Sequence, residues 1–279
     1  MDLSELADTL IERFTNPPPV VTVLRLSGLI MAGGGLLRGG LNLANLAAPL
    51  AAAFRPKRLA AVALTVNSPG GSPVQSALIG NRIRALAEEK SVPVVAFVED
   101  LAASGGYWLA AAADEIFADP ASILGSIGVV SAGFGLDEAI RRLGISRRLH
   151  TAGARKRMLD PFLPEKPEDV ARLKILQEEI HDTFKAWVRL RRQGRLAAPE
   201  DDLFNGDVWT GRRAVELGLA DGLGDLRTVM RARFGDKVRL VAVGERRAWW
   251  RPRLFRSEEL PAGLLAAIEE RLSWARWGL

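Results

Sequence analysis

Two uninterrupted apolar runs, LAAVALTV at residues 59–66 and VPVVAFV at residues 92–98, flank a helix-length segment at 72–89. A strand that is apolar at every position is buried on both faces, and two such strands joined through a helix run parallel. The chain is thereby restricted to a parallel sheet flanked by helices, the α/β class. The same rhythm predicts further strands at 20–26, 115–118, 145–151 and 238–243. Helices are expected at 41–54, 107–113, 136–143 and 167–192, with helix, turn and helix over 210–226. In such sheets ligands bind beyond the carboxyl ends of the strands. Both central strands end in glycine-bearing turns, NSPGG at 67–71 and ASGG at 103–106.

The second turn carries Ser104. Gly105 and Gly106 allow a sharp turn and bring backbone amides near a ligand, and a helix starting there offers unpaired N–H groups to an anion. A nucleophile would sit well at this point. Serine is also a favoured N-cap residue, so the local pattern suits a structural cap as well as a reactive hydroxyl.

A serine hydroxyl is a weak nucleophile and needs a base within hydrogen-bond reach. Composition narrows the choice of base. The 279 residues include no cysteine, which excludes disulfides, thiolate metal sites and a cysteine nucleophile together. Two histidines, His150 and His181, are too few for a histidine metal cluster, and no metal or cofactor is expected. His181 lies mid-helix among Glu178, Glu179 and Asp182 and reads as solvated, while His150 ends a predicted strand near Lys156. Lysine is the other base available to a serine hydrolase. Its free pKa of about 10.4 has to fall by roughly two to three units for the amine to work at neutral pH. Burial and neighbouring cations both act in that direction. Lys156, between Arg155 and Arg157 and followed by Met158, Leu159, Pro161 and Phe162, reads either as such a base or as a solvated member of a basic loop.

The remaining segments divide the chain into an amphipathic arm with a proline linker (1–19), a main α/β domain (20–244) and a basic, tryptophan-rich tail (245–279). The segment GLIMAGGGLLRGG at 28–40 reads as a groove-lining loop, and without a following Gly-Lys-Ser/Thr it is no phosphate cradle. In the long helix, Val170, Leu173, Leu176, Ile180, Phe184 and Trp187 form a stripe suited to core or to a subunit interface. The N-terminus has no apolar signal region and no run is long enough to span a bilayer. A cytoplasmic chain, or one attached peripherally to the inner membrane, is therefore expected. A net charge of +5 fits an anionic lipid surface, and nucleic acid is not an expected partner. In the tail, Trp249, Trp250 and Phe255 alternate with Arg246, Arg247, Arg251, Arg253 and Arg256, ahead of a stripe of Leu264, Leu265, Ile268 and Leu272. Such a tail suits a membrane surface, a neighbouring subunit or its own domain.

Taken in order, NSPGG, ASGGYW, GSIGV at 125–129, GARK at 153–156 and GRRAVELGLADGLG at 211–224 resemble the signal peptide peptidase A family of bacterial serine peptidases. The co-linear set spans residues 20–234. The resemblance implies a ClpP/crotonase-like fold, with Ser104 as nucleophile and Lys156 as general base. It implies an oxyanion hole from the amides of Gly71 and Gly105, with Gly70 beside them, and Ser126 as the hydroxyl that holds the lysine amine. Peptide substrates, no cofactor and a homo-oligomeric ring are implied as well. Many members carry a membrane anchor or two copies of the fold, and neither is legible in this chain. A crotonase-type acyl-CoA enzyme and a catalytically silent scaffold remain the alternatives that the fold allows.

Overall fold

The computed structural model describes residues 17–32, 40–153, 155–244, 271 and 274–277. The expected N-terminal helix and most of the basic tail lie outside the described residues. Strands β1 (Val20–Ser27), β2 (Leu59–Ser68) and β3 (Val94–Ala103) form the parallel centre, in the order β3-β2-β1. Successive side chains of a strand point to opposite faces, and here both faces are apolar. Val62, Leu64 and Val66 enter one core with Val94, Ala96 and Val98, whereas Ala61, Ala63, Val95 and Phe97 enter the other. Each fully buried Val or Leu contributes about 2 kcal/mol relative to exposure, which is why the strands read as continuous apolar runs.

Helices α1 (Leu43–Ala53) and α2 (Pro73–Lys90) cover the larger core, together with α3 (Gly105–Ala110), the helix that follows the serine turn. Local chemistry sets their starts. Asn42 Oδ1 accepts from the Asn45 amide and Ser72 Oγ from the Gln75 amide, each satisfying an N-terminal donor that the helix leaves free. Past α3, strand β4 (Glu115–Ala118) pairs with the first half of β3, and β5 (Ile123–Gly125) with its last three residues. The chain then runs through α4 (Asp137–Arg142), the long α5 (Pro167–Arg191) and α6 (Glu200–Leu203). Strand β6 (Val208–Thr210) joins β5 antiparallel, and α7 (Gly211–Glu216) leads to β7 (Gly222–Leu223) beside β4. Helix α8 (Leu226–Phe234) covers the second core with Met230, and β8 (Arg239–Val243) closes the far edge against β1.

The predicted strand at 145–151 does not form. That stretch is irregular and exposed, with Ile145 and Leu149 facing solvent and, among the described residues, no neighbouring strand to accept its backbone bonds. A short segment with apolar residues makes a strand only where a partner edge exists. The stripe on α5 is likewise buried only toward its C-terminal end, at Phe184 and Val188, while Leu176 and Ile180 remain exposed.

That end of α5 is bolted to the sheet through charge. Arg192, 1% exposed, donates to the Gly218 carbonyl and to both carboxylate oxygens of Asp221, whose Oδ2 also accepts from the Ile116 amide. Arg191 and Arg84 donate to the carbonyls of Ala111, Ala112 and Ala113 and share Asp114, so the open C-terminal carbonyls behind α3 are satisfied by guanidinium groups. Breaking a buried pair by removing one partner strands the other charge and costs about 3–5 kcal/mol. Asp221→Ala should therefore lower chemical-denaturation stability by about 3 kcal/mol, whereas Asp182→Ala, which breaks a pair whose carboxylate faces solvent, should leave it nearly unchanged. Equal effects of the two substitutions would contradict the buried-clamp account.

Candidate active site

The site is built where β2 and β3 end. Between Val66 and Ser68 of β2 the register to β3 jumps from Val98 to Ala102, so β3 carries two extra residues there. Asn67 fills the bulge: its Nδ2 donates to Asp100 Oδ2 at 2.6 Å, and its Oδ1 accepts from the Leu101 amide at 3.2 Å. The bulge turns the last residues of β3 onto β5 and sets where the next residue, Ser104, emerges.

Ser104 occupies the N-cap position of α3 but makes no capping hydrogen bond, and its backbone lies at φ 52°, ψ −121°. A non-glycine residue at positive φ is strained unless the surroundings impose it. Here they do, because the Ser104 amide donates to Gly125 O at 2.8 Å and its carbonyl accepts from the Trp108 amide at 3.0 Å. The hydroxyl is thus left free of the structural duty that a cap would give it.

The NSPGG turn packs directly on this serine. A Cβ built on Gly70 would lie 2.8 Å from Ser104 Cβ and 2.7 Å from the Gly105 nitrogen, and one on Gly106 would lie 2.4 Å from Ser68 O. Only residues without side chains permit that approach. The Gly70 amide turns inward to Ser68 Oγ at 3.2 Å, while its carbonyl accepts from the Ile30 amide. The amides of Gly71 and Gly105 have no backbone acceptor among the described residues. Gly71, Ser104 and Gly105 line one small pocket with Pro73, Trp108, Gly128, Val129, Ile180 and Phe184. Its volume is about 20 Å³, and the ring of Trp108 stacks on that of Phe184 at 4.7 Å to form a rigid wall. Behind α3, burial pushes the Tyr107 phenol far above its ordinary range, so it stays a neutral donor to Leu219 O at 2.9 Å.

The expected site residues are therefore brought together unequally. Ser104, Gly70, Gly71 and Gly105 converge, and Ser126 follows the residue whose carbonyl holds the Ser104 amide. Ser126 itself sits at φ 51°, its amide bonded to Asp207 O. Lys156 does not join them within this chain. It lies in an exposed turn, its amide bonded to Gly153 O, and it is not part of the pocket wall at Ser104. His150 is exposed on the same extended segment. His181, read from the sequence as solvated, is instead half-buried, with Nε2 3.1 Å from Ile127 O. Trp108, Ile180 and Phe184 were not singled out as site residues by the sequence. Only the helical spacing of Ile180 and Phe184 on α5 hinted that they share a face.

A parallel sheet with a strained serine at a strand-to-helix turn and two free glycine amides beside it defines a ClpP/crotonase-like α/β protein. A model of peptidase family S49 matches residues 86–237, a stretch that includes Ser104 and Lys156. This chain belongs to that family. It is 34% identical over 171 residues to the chloroplastic serine protease SPPA of Arabidopsis thaliana, covering 61% of this chain and 25% of that protein. It is also 50% identical over 280 residues to a protein of Brucella abortus named Na(+)/H(+) antiporter NhaA, covering 96% of this chain but 38% of that protein. Among solved structures, a lysine-to-alanine variant of the 1510-N membrane-bound stomatin-specific protease, in complex with a substrate peptide, superposes with a TM-score of 0.52. It is 13% identical and covers 90% of this chain and 99% of that one, which is a likeness of fold.

Proposed function

We propose that this chain is a serine endopeptidase that hydrolyses hydrophobic peptides, such as cleaved signal peptides or membrane-derived fragments, with Ser104 as nucleophile and Lys156 as general base. The observation that carries the reading is Ser104 itself, held at φ 52° without a capping bond and pressed against a glycine turn whose Gly71 amide is free. In the reaction, the neutral amine of Lys156 takes the Ser104 proton as Oγ attacks the peptide carbonyl. The amides of Gly71 and Gly105 receive the negative charge that develops on the carbonyl oxygen. The resulting ammonium gives the proton to the leaving amine; in the second half Lys156 takes a proton from water as the water attacks the acyl carbon, and returns it to Oγ as the acid departs. Ser126 holds the amine in line. The pocket of about 20 Å³ beside Ser104 has room for a group near methyl size, which favours a small side chain at the cleaved bond.

Lys156 reaches a serine through assembly. The segment that carries it exposes Val130, Phe134, Leu143 and Ile145, with Phe134 85% exposed. Exposed apolar side chains of this size suit another protein surface, and a second copy of the chain would cover them while delivering the lysine. Membrane transport is the activity in the name of the Brucella relative and is said of that protein. Among the described residues no helix is long and apolar enough to cross a membrane, and the match covers 38% of that protein. A fluorophosphonate probe should label Ser104 of the full chain and block hydrolysis of an alanine-rich hydrophobic peptide. An unlabelled Ser104 beside intact turnover would place the nucleophile elsewhere, and neither labelling nor turnover would favour the silent scaffold.

A further inference from the structure

The loop from Gly125 to Val129 is held from three directions. Gly125 O accepts from the Ser104 amide at 2.8 Å, the Ser126 amide donates to Asp207 O at 2.7 Å, and Ile127 O lies 3.1 Å from His181 Nε2 on α5. A carbonyl can only accept, so Nε2 carries the proton in this contact. The third tie is the one supplied by a side chain, and it joins two parts of one pocket wall. Gly128 and Val129 line the pocket from the loop, while Ile180 and Phe184, the neighbours of His181 in sequence and one turn on, line it from α5. The backbone of the loop is itself unusual, with Ser126 at φ 51° and a tight Gly128 amide to Ser126 carbonyl bond of 2.9 Å. A loop held in a sparsely populated conformation depends on its external ties.

We infer that His181 is a positioning residue for substrate selection: by donating to Ile127 O it clamps the 125–129 loop to α5 and keeps the pocket beside Ser104 too small for large side chains. This rests on the reading of Ser104 as nucleophile. The clamp lies off the reacting atoms, since His181 is not among the residues that line the pocket. It is expressed in which peptides are cut more than in whether the chain folds. Released, the loop drifts outward, Val129 withdraws and the pocket deepens, while the amide bond to Ser104 is loosened at the same time.

The test compares the full wild-type chain with His181→Gln, His181→Glu and His181→Leu on two peptides that differ only in alanine or phenylalanine at the cleaved bond. Glutamine keeps an N–H donor, while glutamate of the same shape offers only acceptors to a carbonyl. Discrimination in an apolar pocket spans about 10- to 200-fold. The alanine-to-phenylalanine ratio of kcat/KM should fall about tenfold in the Glu and Leu variants and stay within about threefold of wild type in Gln. Thermal midpoints should remain close together, and if the Leu variant does not fold, the Gln and Glu pair decides. Equal ratios in those two, with wild-type Ser104 labelled by fluorophosphonate, would overturn the positioning role alone. A wild type in which Ser104 is not labelled would overturn the nucleophile assignment and this inference with it.

Discussion

Ser104→Ala should abolish peptide hydrolysis, by about 10⁵-fold or more, and leave the fold in place. The side chain makes no capping hydrogen bond, so its loss removes nothing that the helix uses. Lys156→Ala should be nearly as severe, because in the proposed reaction the amine is the acceptor for the hydroxyl proton. Its exposure predicts an unchanged stability. The two substitutions combined should be no worse than either alone, since residues that act as a unit do not contribute separately. The measurement is single-turnover acylation together with a denaturation curve for each variant. Substantial turnover in Lys156→Ala, with His150→Ala inactive, would transfer the base to the histidine.

Gly71→Ala should fail in both stability and catalysis. Gly71 lies at φ 136°, and a Cβ there would fall 2.0 Å from Ile30 O, a backbone atom that cannot rotate away. The same Ile30 carbonyl accepts from the Ser72 amide at 2.8 Å, so relief of the clash would break the tie between the glycine turn and the 28–32 segment. Backbone strain alone costs about 1–3 kcal/mol, and the overlap adds to it. A fall in thermal midpoint of roughly 10 °C follows for a domain of this size. Any folded fraction should also lose about 10²–10³ in kcat, because the overlap displaces the amide proposed as an oxyanion donor. Gly144→Ala is the control, because Gly144 is also at positive φ, 66°, but a Cβ there meets nothing within 4 Å. It should cost about 1 kcal/mol in stability and nothing in kcat. If Gly71→Ala behaved like Gly144→Ala, the glycine turn would not be the tight partner of the serine.

The fold class and the serine turn were legible in the chain because they rest on local rules. Unbroken apolar runs at β2 and β3 require burial on both faces, and glycines at 70, 71, 105 and 106 mark the close approach of two backbones. Family motifs in fixed order carried the candidate roles of Ser104 and Lys156. What local pattern could not supply was whether a segment has a neighbour. The segment 145–151 reads as a strand, yet among the described residues no edge stands beside it, and the α5 stripe reads as core or interface along its length but is buried only near Phe184 and Val188. The same gap hid His181, whose partner Ile127 is 54 residues away in the chain, so that a charged neighbourhood suggested solvent where the fold places a carbonyl. Sequence thus determined the sheet, its two glycine-bearing turns and the residue types they present, since each depends on contacts within a few residues or on burial averaged over a whole strand. Tertiary structure alone decided that Ser104 is uncapped and strained, that Gly70 faces inward while Gly71 stays free, and that Lys156 stands apart from the serine, because those outcomes depend on which distant backbone atoms arrive at the same point.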